Sequence, residues 1–176
     1  MRNQDRLKQN TPDPAAQVNH QYTPPTDIVK LPSAGKFYSK EHPLHKVEEV
    51  EVGFMTTKEE DILVSTAYAK QGKVIDKLVE SLLLKSVKAD TLLPGDKSAI
   101  LINARKNAYG PEYKIQISCA ICDHPNKHAV DLDAVGIKEN NQEGVEFTDR
   151  GTFVIKLPKT QANIELKFLT SEDEEE

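Results

Sequence analysis

Residues 95–128 read GDKSAILINARKNAYGPEYKIQISCAICDHPNKH, and the first half of this stretch predicts a helix. Asp96 is a residue type that caps helix N-termini, because its carboxylate accepts unpaired backbone N–H groups of the first turn. Gly110 is the residue type that most often ends a helix, since it adopts a left-handed conformation without strain. Between them, apolar residues recur at the spacing of one helix face, at Ile100, Leu101, Ala104 and Ala108.

The second half of the stretch predicts a β-hairpin. Apolar and polar residues alternate from Tyr113 to Cys119 and again from His128 to Leu132, which is the pattern of strands. Residues 113–133 therefore predict two antiparallel strands with a Cys-x-x-Cys turn at their tip.

Towards the C-terminus, the sequence predicts a loop and a second hairpin. Residues 138–151 are polar and contain glycine, which is typical of a loop. Residues 153–157 and 164–168 alternate around a turn that contains Pro158, which predicts the second hairpin. Residues 171–176 are read as an acidic tail, either solvated or the start of a helix.

Towards the N-terminus, the spacing of apolar residues predicts two further helices. Thr57 and Glu60 fit a capping box, with Thr57 at the N-cap, and Gly72 predicts the end of the first helix. The predicted inward-facing residues are Leu63, Val64, Ala67 and Tyr68 in the first helix, and Ile75, Leu78, Val79 and Leu82 in the second.

The chain before these helices divides into an arm, a turn and a strand. Val50, Val52 and Phe54 alternate with Glu51 and Gly53 and predict a strand with one buried face. The sequence predicts a turn at residues 31–38, anchored by its aromatic pair. Residues 1–27 are polar and rich in proline and predict an extended or disordered arm, either a free tail or one that orders along a partner.

Length and composition fit one domain at residues 28–170. The chain has 176 residues, of which 38 % are apolar, below the usual fraction of about one half. Its formal charge of −5 comes from residues 172–176, which are all acidic; elsewhere acidic and basic residues balance, which disfavours bulk attraction to nucleic acid or to anionic membranes. We predict an α+β fold in which a three-helix segment at 57–110 packs against antiparallel β-hairpins, one of them tipped by a Cys-x-x-Cys knuckle.

The one chemically distinctive group comprises Cys119, Cys122, His124 and His128. Thiolate and imidazole are the ligands that zinc prefers, and structural zinc takes four of them. The turn would supply two thiolates and the return strand His128, whereas His124 inside the turn is harder to include. Two alternatives stay open: a reduced structural turn in which Cys119 packs as a small hydrophobic residue, or a redox pair, although redox pairs usually sit at a helix N-terminus.

The remaining sequence favours a protein without catalysis. It contains no phosphate-binding glycine loop, no nucleophile elbow and no zinc-protease helix motif. Arg105 lies late in the predicted helix, where a cation suits the helix dipole, or alternatively where it contacts a partner. No apolar run reaches the ~18 residues of a membrane helix, and the polar residues 1–10 do not fit a secretory signal, so synthesis in a reducing cytosol is expected.

Several short motifs occur along the chain in a definite order and spacing. They are Leu31-Pro32-Ser33-x-Gly35-x-Phe37-Tyr38, Met55-Thr56-Thr57-x-Glu59-Glu60-Asp61-Ile62-Leu63, Gly95-Asp96-Lys97-x-x-Ile100-Leu101, Arg105, Tyr109-Gly110, Tyr113, Cys119-x-x-Cys122 and Asp131-Leu132. Together they resemble the T4-like phage baseplate hub family, over about residues 28–170. The resemblance implies a non-enzymatic protein that helps to build the hub of a contractile tail, acting with tape-measure or central spike proteins.

Three functional hypotheses follow. The first is a structural or assembly protein of a phage tail, acting in the host cytoplasm and in the virion baseplate and binding other tail proteins, not nucleic acid or membrane. The second is a zinc-ribbon-like adaptor for nucleic acid, and the third is a thiol-redox protein. The residues predicted to contact partners under the first are Leu31, Pro32, Gly35, Phe37, Tyr38 and Arg105.

Overall fold

The computed structural model describes residues 25–138 and 144–174, an α+β arrangement of antiparallel strand pairs and several helices. Of the predicted arm, residues 1–24 lie outside the described residues, and the first strand begins at Thr26. In chain order the elements are β1 (Thr26–Lys30), β2 (Glu49–Gly53), α1 (Thr57–Val64), α2 (Thr66–Lys70), α3 (Val74–Leu82), α4 (Pro94–Tyr109), β3 (Glu112–Ser118), β4 (Pro125–Asp131), β5 (Glu146–Phe147), β6 (Phe153–Lys156), β7 (Asn163–Leu166) and α5 (Ser171–Glu174), with single 3-10 turns at Ala89–Thr91 and Leu132–Ala134.

The hydrophobic core lies between β1–β2, α3 and the first half of α4. Val29 pairs with Val50 across the antiparallel β1–β2 ladder, and both side chains are buried. Each fully buried aliphatic side chain of this kind contributes about 1.5–3 kcal/mol relative to exposure. The buried apolar residues of the described chain are Val29, Leu31, Tyr38, Leu44, Val50, Val52, Leu78, Val79, Leu82, Leu83, Val87, Ala89, Leu92, Leu93, Ile100 and Ala104.

The first predicted helix is shifted and broken. The capping box uses Thr56 at the N-cap and Glu59 at N3, one residue earlier than predicted, because Glu59 also accepts a hydrogen bond from Ser81 on α3 and is buried there. Ser65 ends α1 and caps α2, so one predicted helix becomes two short ones. The predicted inward stripe was also wrong, since Leu63, Val64 and Ala67 are exposed and Tyr68 is half-buried.

The next two helices follow the prediction more closely. In α3, Leu78, Val79 and Leu82 are buried as predicted, whereas Ile75 is exposed. Helix α4 begins at Pro94, so Asp96 is not the N-cap but a buried residue of the first turn. Ile100 and Ala104 face the core as predicted, Leu101 is half-buried and Ala108 is exposed. Gly110 ends the helix as predicted, with a positive φ of 83°.

The cysteine hairpin forms as predicted but stands away from the core. Strands β3 and β4 pair in antiparallel register, with Ile115 opposite His128. Of the fourteen residues in these two strands, Ile115 alone is half-buried and the others are exposed. The helices therefore do not cover either face of this hairpin as a layer.

The second hairpin also forms, within a larger sheet. Strand β6 pairs with β7 as predicted, with Ile155 opposite Ile164. Strand β5 adds a third strand from within the stretch 138–151 that the sequence predicts as a loop. Residues 171–174 form a helical turn, which matches the helix-start alternative for the acidic end.

Candidate functional site

Two of the sequence motifs meet at one buried carboxylate, that of Asp96. Its Oδ1 accepts the backbone N–H of Ser33 at 3.0 Å, and its Oδ2 accepts the hydroxyl groups of Ser33 and Tyr38, each at 2.6 Å. The Tyr38 hydroxyl in turn accepts the backbone N–H of Leu93 at 3.1 Å. We call Asp96, Ser33, Tyr38 and Leu93 the Asp96 cluster. The position of Asp96 in the first turn of α4 adds a favourable interaction with the helix dipole.

Burial shifts the pKa of Tyr38 in this cluster and of His42 beside it. Burial, followed by the charge of the Asp96 carboxylate, raises the pKa of the Tyr38 hydroxyl far above its usual value. The His42 ring stacks on Tyr38 with centroids 4.3 Å apart, and burial lowers the pKa of His42 below 6.5. These shifts arise from packing around a structural hydrogen-bond network.

The turn at residues 31–38 is thus mainly a core element. Leu31, Gly35 and Tyr38 are buried, and their predicted role as partner-binding residues stays a prediction. Gly35 has a φ of +68°, and a Cβ there would lie 2.3 Å from the backbone nitrogen of Val47, which explains the need for glycine. Pro32 is exposed and Phe37 half-buried, so these two residues keep the predicted role of contacting partners.

Arg105 joins the end of α4 to the start of the cysteine hairpin. Its guanidinium lies 4.7 Å from the ring centroid of Tyr109 and 5.5 Å from that of Tyr113. It also approaches the carbonyl oxygen of Gly110 at 3.4 Å. Arg105 is half-buried, whereas both tyrosines are exposed, so the three residues form a stacked group at the base of the hairpin.

At the tip of the hairpin, Cys119 and Cys122 form a tight turn. The Cys119 N–H donates to the His124 carbonyl at 3.0 Å, and the Asp123 N–H donates to the Cys119 carbonyl at 2.9 Å. Hydrogen bonding by the backbone N–H groups of Ile121 and Cys122, and by the Cys122 thiol, lowers the pKa of the Cys119 thiol. Both thiols are free; Cys119 is half-buried and Cys122 exposed.

The two histidines of the predicted zinc site lie at different places relative to this turn. His128 pairs with Ile115, four residues along the strand from Cys119 and therefore about 13 Å away along the backbone. The His124 backbone is held in the turn by its carbonyl. Within residues 25–138 and 144–174, no three His, Cys, Asp or Glu side chains are grouped so that they could hold a metal ion. Zinc binding stays a prediction, and the described part of one copy groups no third such side chain with the two thiols.

A cluster of four phenylalanines, which the sequence analysis missed, forms an apolar concave surface. Phe37 makes edge contacts with Phe147, Phe153 and Phe168, with ring centroids 5.2, 5.6 and 4.7 Å apart. The cluster borders an open pocket of about 450 Å³, which Leu169 also lines. Phe168 and Leu169 are 48 % and 60 % exposed. We call this surface the phenylalanine pocket.

The signal for this pocket was present in the sequence but weak. Val145 and Phe147 alternate with Glu146 and Thr148, which is a strand pattern, yet the run is too short to stand out in a polar segment. Only the pairing of β5 with β6 brings Phe147 beside Phe37, which lies more than one hundred residues earlier in the chain.

The comparisons with known proteins decide the family. The model of the family described as T4 bacteriophage base plate protein matches residues 24–176. This chain belongs to that family. Searches of curated proteins and of solved structures gave no match.

Membership of the baseplate family supports a structural role in the phage tail, with other tail proteins as partners and the virion tail as location. It also suggests that the protein is not an enzyme. Among the described residues of this baseplate protein, no helix has the length and apolar character needed to cross a membrane. The resemblance noted from the sequence is confirmed at the level of the baseplate; the hub is a finer assignment.

The Asp96 cluster explains why the motifs of this baseplate protein occur together. The Leu31–Tyr38 motif supplies Ser33 and Tyr38, and the Gly95–Leu101 motif supplies Asp96, 63 residues after Ser33. Both motifs are therefore explained by packing, and contacts with other tail proteins are to be sought on exposed surfaces.

Proposed function

We propose that this baseplate protein assists assembly of the hub of a contractile tail, through contacts with hub, central spike or tape-measure proteins. It acts in the host cytoplasm during assembly and is carried into the baseplate of the virion. The proposed mode of action is surface recognition without turnover. The hub assignment rests on the family resemblance, and the mode of action rests on the exposed apolar surface.

The observation that carries this proposal is the phenylalanine pocket. Concave surfaces lined mainly by apolar and aromatic side chains are common sites for binding the anchor side chains of partners. The pocket is concave, is lined by Pro32, Phe37 and the other phenylalanines, and leaves Phe168 and Leu169 partly in solvent. Such a surface fits one or two apolar anchor side chains of a partner protein.

The partner-contact role predicted for the turn is consistent with this geometry. Pro32 and Phe37 both line the pocket, so the turn presents these two side chains while its other residues hold it in place. Arg105 lies elsewhere, with Tyr109 and Tyr113 at the hairpin base, where we propose a second, polar and aromatic contact.

The proposal is tested by co-expressing the full chain with the hub, spike and tape-measure proteins of the same phage and purifying the complexes. We expect a stable complex with at least one of them. Leu169→Asp should weaken that complex by about tenfold or more, because it places a charge in the apolar pocket. Failure to bind every one of these proteins would refute the role in hub assembly.

A matched control separates pocket contacts from a general loss of solubility. Val64 on α1 is 76 % exposed and lies outside the pocket, so Val64→Asp introduces the same charge elsewhere. We expect Val64→Asp to leave the complex intact. Equal weakening by both substitutions would argue against the pocket as the contact site.

A further inference from the structure

The Cys119–Cys122 turn has the features of half a metal site. Its two thiols lie in one tight turn, which is closed by hydrogen bonds from the Cys119 N–H to the His124 carbonyl and from the Asp123 N–H to the Cys119 carbonyl. Cys122 is exposed and Cys119 half-buried, so both are reachable from solvent. The turn lies at the end of a hairpin whose strands are exposed on both faces, so the core does not obstruct its approach to another molecule.

The other ligands must come from outside this copy. Structural zinc takes four ligands in a tetrahedron, with Zn–S distances of about 2.3 Å. His128 is held opposite Ile115 by the strand register, too far from Cys119 to share such a centre. The described part of the chain offers no third His, Cys, Asp or Glu beside the two thiols.

We propose that two copies of this chain bind one zinc ion between their hairpin tips, with Cys119 and Cys122 of each copy as the four ligands. A two-fold axis through the ion places the same turn on both sides, as an isologous contact requires. Ile121, between the cysteines, is 95 % exposed in the single chain and would be partly covered by the opposing tip. Exposure of this apolar side chain beside two accessible thiols favours a second copy as the occupant.

Binding of the ion replaces up to four S–H bonds by Zn–S bonds and releases the corresponding protons to the buffer, with no change in oxidation state. Zinc binding and hub assembly are tested independently, since the first needs only this chain and the metal. A negative zinc titration would leave the proposed role in hub assembly standing, and failure to bind the tail proteins would leave the proposed zinc site standing.

The experiment uses the full chain, reduced and stripped of metal, titrated with zinc chloride. Mass is followed by light scattering and by native mass spectrometry, and bound zinc by elemental analysis. We expect the mass to double at one zinc per two chains, and a chelator to restore the monomer. One zinc per monomer, no zinc binding, or zinc binding only when another tail protein is added would each overturn the proposal.

Four variants identify the ligands. Cys119→Ser and Cys122→Ser should each abolish the zinc-dependent doubling of mass, whereas His124→Ala and His128→Ala should retain it. Because the hairpin contributes no residue to the core, all four should keep the thermal midpoint of the metal-free parent. Loss of zinc in His128→Ala, or doubling of mass without zinc, would refute the proposed ligand set.

Discussion

Replacing Asp96 with alanine is expected to destabilise the protein by about 3–5 kcal/mol, a large part of the 5–15 kcal/mol typical of a domain. The carboxylate accepts three hydrogen bonds and is fully buried. Its removal leaves the Ser33 N–H, the Ser33 hydroxyl and the Tyr38 hydroxyl without their acceptor in the interior.

The magnitude follows from the cost of each unpaired group. A buried donor that loses its partner costs about 1–3 kcal/mol, and hydrogen bonds to a charged acceptor lie at the upper end. The hydroxyl groups can reorient, so the sum of three such costs is reduced to the range given above. Tyr38→Phe removes one of the three bonds, together with the acceptor for the Leu93 N–H, and should cost about 1–3 kcal/mol.

The assay is urea denaturation followed by far-ultraviolet circular dichroism, with the free energy of unfolding taken from the midpoint and slope. Asp61→Ala is the control, because Asp61 is also a helical aspartate but is exposed. It should change the free energy of unfolding by less than about 0.5 kcal/mol. The double variant Asp96→Ala/Tyr38→Phe should lose less than the sum of the two single losses, since they share one bond. A loss below about 1 kcal/mol for Asp96→Ala, or strict additivity, would refute the reasoning.

Three further predictions concern the turn, its histidine and the hairpin base. Gly35→Ala should cost more than about 3 kcal/mol in urea denaturation, whereas Gly72→Ala should cost about 1–2 kcal/mol, because both have the same positive φ but only Gly35 faces backbone atoms within 3 Å; equal losses would contradict this. Burial lowers the pKa of His42, so the unfolded chain takes up a proton first as the pH falls below 6.5. The contribution of His42 to stability is therefore complete above pH 6.5 and decreases as the pH falls from 6.5 towards the folded-state pKa. Nuclear magnetic resonance titration should place the His42 pKa below 6.5, and a normal value would refute the effect of burial. Arg105→Ala should lower the free energy of unfolding by about 1–2 kcal/mol through loss of two ring contacts, with Arg105→Lys intermediate; a loss as large for Lys as for Ala would show that the planar guanidinium matters more than the charge.

Local patterns predicted much of the secondary structure, because turn residues and periodicity act over a few neighbours. Gly110 ends α4, the inward face of α3 is largely as expected, and the cysteine hairpin forms where the alternation predicts it. The capping box was misplaced by one residue because Thr56 and Thr57 are adjacent and chemically equivalent. Only the contact of Glu59 with Ser81 on another helix selects between them.

The candidate sites were less predictable than the elements. Cysteine spacing identified the tip of the hairpin, but the distance of His128 from it depends on strand register. The turn at residues 31–38 was predicted to contact partners and to be anchored by its aromatic pair, and Tyr38 does point inward, to a carboxylate that lies 58 residues away in the chain. The phenylalanine pocket was not predicted, since Phe37 lies more than one hundred residues before the other three phenylalanines.

By itself, the sequence determined the class of fold, the order of helices and hairpins, and membership of a phage baseplate family, because these depend on residue types, short spacings and motif order. The tertiary structure alone decided which apolar residues are buried, that Asp96 joins two motifs, and that the cysteine hairpin stands free of the core. The physical reason is that burial and buried hydrogen bonds depend on which distant segments meet, and local periodicity carries no information about that choice.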